Sequence, residues 1–149
     1  MIALAVMSAC TQNNISHPET VKSAERPRIL ILDDEPAIQF AYRRIIESEG
    51  MQVDSSSTLS DAINRITERP YLAVIADVRL SGSDNQDGLE FLRYVRSSHP
   101  TTRMILATGY GNHDIRNKAH ALGADHYFVK PVPPDSIISA LKGFTSAPA

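Results

Sequence analysis

Three acidic residues in succession, Asp33-Asp34-Glu35, stand directly behind four aliphatic ones, Ile29-Leu30-Ile31-Leu32. The same arrangement, an apolar run closed by a functional side chain, recurs at Asp77 after residues 71–76, at Thr108 after 103–107 and at Lys130 after 127–129. Carboxylates packed together repel one another and resist ionising unless a cation sits among them. For a site built from oxygen ligands the natural guest is Mg²⁺, which takes one or two carboxylates and keeps several waters. A carboxylate beside such a metal can attack phosphorus and form an acyl phosphate. Phosphoryl transfer then asks mainly for positioning and charge neutralisation. Lys130 offers the positive charge and Thr108 a hydroxyl donor. Singly, each of these residues reads as a solvated cap, a surface lysine or a strand threonine. Their joint occurrence at successive strand ends is what points to a site.

These positions meet only if the intervening chain folds so that they do. From Arg28 onward, apolar runs alternate with stripes of helical spacing. Residues 29–32 form a continuous aliphatic run, as in a strand buried on both faces of a parallel sheet. Ile38, Ala41, Tyr42, Ile45 and Ile46 then mark one helical face, and Gly50 stops that helix. A weak second strand is predicted near 52–55. A second helix carries Leu59, Ala62, Ile63 and Ile66 and ends before Pro70. A third strand over 71–76, a helix over 89–96 after Asp87-Gly88 and a fourth strand over 103–107 follow. Ile115, Ala119 and Leu122 give a thinly apolar fourth helix closed by Gly123. The fifth strand covers 127–129, and Ile137, Ile138 and Leu141 carry the last helix. Five strands alternating with five helices predict an α/β fold, an open doubly wound parallel sheet, because parallel neighbours need crossover helices. In such sheets the working site lies beyond the carboxyl ends of the strands.

With these residues in place, the segment from about Arg28 to Phe144 resembles the receiver domain of two-component response regulators, the chemotaxis-regulator-like family. The resemblance rests on Asp33-Asp34-Glu35-Pro36 after an aliphatic strand, Asp77 after Val74-Ile75-Ala76, Thr108-Gly109, and the run from Gly123 to Lys130-Pro131. It implies a flavodoxin-like strand order of 2-1-3-4-5 and Asp77 as the phosphoacceptor. It also implies Mg²⁺ held by Asp34, Asp77 and the backbone carbonyl of Arg79, with Asp33 acting through a water. Thr108 and Lys130 would grip the phosphoryl oxygens, and Tyr127 matches an aromatic switch that turns inward when Thr108 moves. The Lys130-Pro131 bond is expected to be cis. The implied partners are a histidine kinase or histidine phosphotransfer protein and a downstream protein target. No enzyme activity is implied beyond the domain's own phosphorylation and dephosphorylation. One departure stands out: Ser81 follows Leu80 where the family has Pro, and Asp87-Gly88 arrives three residues late behind the polar stretch Ser81–Gln86.

The composition agrees with a soluble globular chain, 42% hydrophobic and 21% charged. A net charge of −2 with scattered basic residues announces neither a nucleic-acid nor a membrane surface. The lone Cys10 excludes an internal disulfide and a cysteine-ligated zinc site, and a cytoplasmic location is expected. Residues 1–10 resemble a truncated lipoprotein signal ending at Cys10, but no Lys or Arg precedes the apolar run. The expected organisation is therefore a disordered tail over 1–26, the receiver domain over 27–144 and a short tail over 145–149. A stand-alone module without an attached output domain is expected. Two other readings stay open on residues alone: a phosphorylation-independent interaction module, and a flavin- or nucleotide-binding protein on the same sheet. The intact acid, Thr and Lys set argues against the first. Acids after the first strand would repel a cofactor phosphate, and Asp114 stands where a Gly109-Tyr110-Gly111 fingerprint needs its third glycine.

Overall fold

The computed structural model describes residues 25–80 and 86–146. The expected N-terminal tail up to residue 24, with Cys10, and residues 81–85 of the lengthened loop lie outside the described residues. Five strands alternate with five helices: β1 (Arg28–Leu32), α1 (Pro36–Glu47), β2 (Gln52–Ser56), α2 (Leu59–Glu68), β3 (Ala73–Ala76), α3 (Asp87–Ser98), β4 (Arg103–Thr108), α4 (His113–Ala121), β5 (His126–Val129) and α5 (Pro134–Ser146). All strands are parallel, in the order β2-β1-β3-β4-β5.

The period-2 alternation of strand side chains splits the apolar residues into two cores. Ile29, Ile31, Ala73, Ile75, Ile105 and Ala107 face α1 and α5, where Tyr42, Ile46, Ile137 and Leu141 cover them. Leu30, Leu32, Val74, Ala76, Met104 and Leu106 face α2, α3 and α4, and Phe91 and Leu92 fill the centre of that layer. The unbroken aliphatic runs of β1 and β3 are thus explained by helices on both faces. The third strand begins at Ala73 and not at Tyr71, which is buried and donates its hydroxyl to Asp54 at 2.7 Å. Helix α3 is longer than expected, taking in Asp87 and Gly88. Helix α5 runs to Ser146, two residues past the expected domain end at 144.

Helix ends follow local chemistry. Pro36 occupies the first turn of α1, where its missing N–H costs nothing. Thr58 and Asn112 accept hydrogen bonds from Asp61 N–H and Ile115 N–H, capping α2 and α4. Gly50 and Gly123 leave α1 and α4 with positive φ, 84° and 93°. Helix α4 buries only Ile115 and Ala119, as its sparse stripe implies. Its far end is tied down by Arg96, which donates to Gly123 O and Thr102 O, each at 2.8 Å, and pairs with Asp125 at 2.5 Å. Because the strands run parallel, Asp33, Asp77, Thr108 and Lys130 all emerge at the same edge of the sheet.

Candidate functional site

Strands β1 and β3 are neighbours, with Leu32 paired to Ala76, so the residues that follow them come side by side. Those residues are Asp33 and Asp77, which are 2% and 9% exposed. Lys130 reaches in from the end of β5 and bridges them, its Nζ donating to Asp33 Oδ2 at 2.7 Å and to Asp77 Oδ2 at 3.0 Å. The remaining oxygens are engaged by the backbone: Glu35 N–H donates to Asp33 Oδ1 at 2.9 Å, and Arg79 N–H to Asp77 Oδ1 at 3.2 Å. Asp34 completes the group, since ligand oxygens of Asp33, Asp34 and Asp77 lie within 4.8 Å of one another. The cis Lys130-Pro131 bond is present.

Three carboxylates against one ammonium leave the cluster two positive charges short when all are ionised. The charge states reflect this. Burial pushes the Asp77 carboxyl above its ordinary range; Lys130 pulls it back, and the Asp33 charge adds to the push. For Lys130 burial opposes the charge, but the bonds to Asp33 and Asp77 outweigh it and hold the ammonium above its usual value. The donor set is all oxygen and doubly negative in sum, which suits a hard divalent cation.

Thr108 closes β4 fully buried, its Oγ1 accepting from Tyr110 N–H at 3.1 Å while its carbonyl accepts from Lys130 N–H at 2.8 Å. The hydroxyl keeps its own proton to donate. Tyr127 is half-buried, and its hydroxyl is fully enclosed with no partner among the described residues. Gly111 lies against that hydroxyl; a Cβ there would fall 2.9 Å from Tyr127 Oη. Arg79 places its backbone on Asp77 but turns its guanidinium over the Tyr110 ring, 5.3 Å from the centroid. The structure therefore gathers Asp33, Asp34, Asp77 and Lys130 into one cluster, with Thr108 and Arg79 adjoining it by backbone and Tyr127 set behind Gly111.

A parallel sheet in this order, with buried acids and a lysine at its carboxyl edge, defines a receiver of phosphorylation-based two-component signalling. The chain belongs to the response regulator receiver domain family, whose model matches residues 29–142. It is 34% identical over 113 residues to the acid tolerance regulatory protein ActR of Rhizobium meliloti, covering 76% of this chain and 57% of that protein. The chain thus spans little more than half the length of that relative. It is 32% identical over 118 residues to the sporulation initiation phosphotransferase F of Bacillus subtilis, covering 78% of this chain and 92% of that protein. Among solved structures, the CheY-like response regulator receiver domain protein of Methanospirillum hungatei aligns with a TM-score of 0.74 at 29% identity, over 79% of this chain and 92% of that one. Among the described residues no helix is long and apolar enough to cross a membrane.

Residue spacing missed two contributors. Tyr42 of α1 looked like one more apolar-stripe residue, yet it is buried within electrostatic reach of Lys130, Asp33 and Asp77; burial chiefly raises its phenol. Gln39, one turn earlier, ties Asp33 O, Ser56 O and Ser57 Oγ together. Gln39 and Tyr42, polar groups three residues apart on one side of α1, are the signal that could have flagged both.

Proposed function

We propose that this receiver accepts a phosphoryl group on Asp77 from the phosphohistidine of a kinase or phosphotransfer protein, in the presence of Mg²⁺, and passes the signal on by protein contacts. The carrying observation is Lys130 Nζ bridging Asp33 and Asp77 at 2.7 and 3.0 Å beside Asp34. Asp34, Asp77 and the Arg79 carbonyl, with Asp33 through a water, would hold the Mg²⁺, which supplies charge neutralisation for the phosphoryl oxygens. An Asp77 carboxylate oxygen attacks phosphorus, the P–N bond to the donor imidazole breaks, and an acyl phosphate forms. Lys130 keeps its bond to Asp33 and shifts its second bond from Asp77 Oδ2 to a phosphoryl oxygen. Thr108 donates its hydroxyl proton to another. The work of the site is placement and charge, in line with the loose transition state of phosphoryl transfer. A cytoplasmic location accompanies this reading.

The test is acetyl phosphate labelling of the wild type and Asp77→Asn, each with Mg²⁺ and with excess chelator. Labelling confined to the wild type with Mg²⁺ is expected. Undiminished labelling of Asp77→Asn, or labelling indifferent to chelator, refutes the proposal.

A further inference from the structure

Gly88 is placed where no other residue fits. A Cβ built on it would stand 2.2 Å from the carbonyl oxygen of Asp77, 2.7 Å from Val78 Cα and 2.8 Å from Asp77 C. All three neighbours are backbone atoms, which cannot swing aside as a side chain can. The position has no positive φ, so the glycine is there for space and not for conformational freedom.

The contact joins two parts that are each fixed. On one side, Asp77 N–H donates to Leu32 O at 2.9 Å, which anchors the acceptor's backbone to β1, and Val78 is fully buried. On the other, α3 is held by Leu89, Phe91, Leu92 and Val95 in the core. Between them Gly88 N–H donates to Val78 O at 3.0 Å. The first turn of α3 therefore rests directly on the peptide that carries the acceptor. The acceptor's backbone takes its height from α3.

We infer that Gly88 is a positioning residue for phosphorylation: its missing side chain seats α3 against the Asp77 backbone and so sets the acceptor carboxylate and the Arg79 peptide relative to Lys130. This rests on Asp77 being the acceptor. A β-carbon would force α3 and the Asp77–Arg79 peptides apart by about 1 Å, and displacements of that size at a reacting group cost on the order of 100-fold in rate.

The experiment compares wild type, Gly88→Ala and a core control, Ile66→Val in α2. Melting temperature, Mg²⁺ affinity and initial acetyl phosphate labelling per folded molecule are measured for each. The expected result is about 100-fold slower labelling of folded Gly88→Ala, with Ile66→Val labelling at the wild-type rate. Gly88→Ala labelling at the wild-type rate per folded molecule, whatever its melting temperature, overturns the inference. Should Gly88→Ala fail to fold, wild-type amide resonances decide: Gly88 and Val78 should shift on adding Mg²⁺ and beryllofluoride, and their silence overturns it. A wild type that takes no label at all refutes the acceptor assignment instead, so the two failures are distinct.

Discussion

Removing the Arg79 guanidinium or the Tyr110 ring should shorten the life of the phosphorylated state, and the structure sets the size of the effect. The Arg79 guanidinium lies over the Tyr110 ring, 5.3 Å from its centroid, and we expect this pair, Arg79 two residues after the acceptor and Tyr110 two after Thr108, to shade the mouth of the pocket. Their backbones are anchored separately, Arg79 N–H on Asp77 Oδ1 and Tyr110 N–H on Thr108 Oγ1, so truncating either side chain opens the mouth without moving the site. Tyr110 is 67% exposed, which puts the cation–π contact near the solvent-screened value of about 1 kcal/mol. That energy corresponds to a closed-to-open ratio of about 5 to 1. Hydrolysis needs a water in line with phosphorus, opposite the Asp77 oxygen, and the open form admits it. Tyr110→Ala, which holds the mouth open, should speed phosphate loss about sixfold, and Arg79→Ala somewhat less, because the free ring still shades the approach. The double variant should be no faster than Tyr110→Ala alone, since the pair acts as one latch. The assay is release of inorganic phosphate from purified labelled protein, with Mg²⁺ affinity measured alongside and expected to hold. Independent, multiplying effects of the two substitutions, or an unchanged rate in the double variant, would refute the latch.

Three further outcomes follow from other contacts. Asp34→Ala should weaken Mg²⁺ binding and labelling together, whereas Lys130→Met should impair labelling while metal affinity survives; equal loss of metal affinity in both, read by calorimetric titration, contradicts the division of roles. At Asp54, burial raises the carboxyl, but the Tyr71 hydroxyl and Arg28 outweigh it and hold it below the ordinary carboxylate range. A depressed folded-state pKa adds stability that is present above the unfolded value near 3.9 and is lost as pH falls through the folded one, so Asp54→Asn should cost about 1–2 kcal/mol at pH 7 and flatten the acid limb of a denaturation series below about pH 4. Asn112→Ala removes the acceptor of Ile115 N–H at 2.9 Å and should weaken α4 by about 1 kcal/mol, seen as faster amide exchange in its first turn with α3 unchanged.

Fold and cluster were legible for the same reason. A strand buried on both faces must be apolar throughout, so residues 29–32 end visibly at Asp33, and residues 73–76 at Asp77. Once the strands are parallel, their polar ends have to share an edge, and Lys130 could be placed beside acids 97 and 53 residues away without any contact being known. What escaped was contact between side chains and backbones that spacing does not encode. The packing of Gly88 against Asp77 O depends on the seating of α3, and the stacking of Arg79 on Tyr110 on the approach of two loops. Tyr42 was counted among apolar residues, because a phenol's ring satisfies the stripe and hides its hydroxyl. The third strand was read two residues too long because Tyr71 is buried like the strand residues that follow it.

The sheet order carries a consequence for how occupancy of the pocket is felt elsewhere. The acids stand behind β1 and β3, each flanked by strands on both sides, whereas Lys130 is supplied by β5, which has a neighbour only in β4. Edge strands are where a sheet frays first. If β5 lifts away, the ammonium leaves with it, and the carboxylates face one another without their counter-charge. Anything anionic that Lys130 grips is thereby bound to an edge strand, and by linkage its binding free energy becomes cohesion between β5 and the rest of the sheet. A ligand at the acidic cluster thus acts as a clasp on the C-terminal part of the domain, tightening β5 and the α5 helix behind it without touching either core.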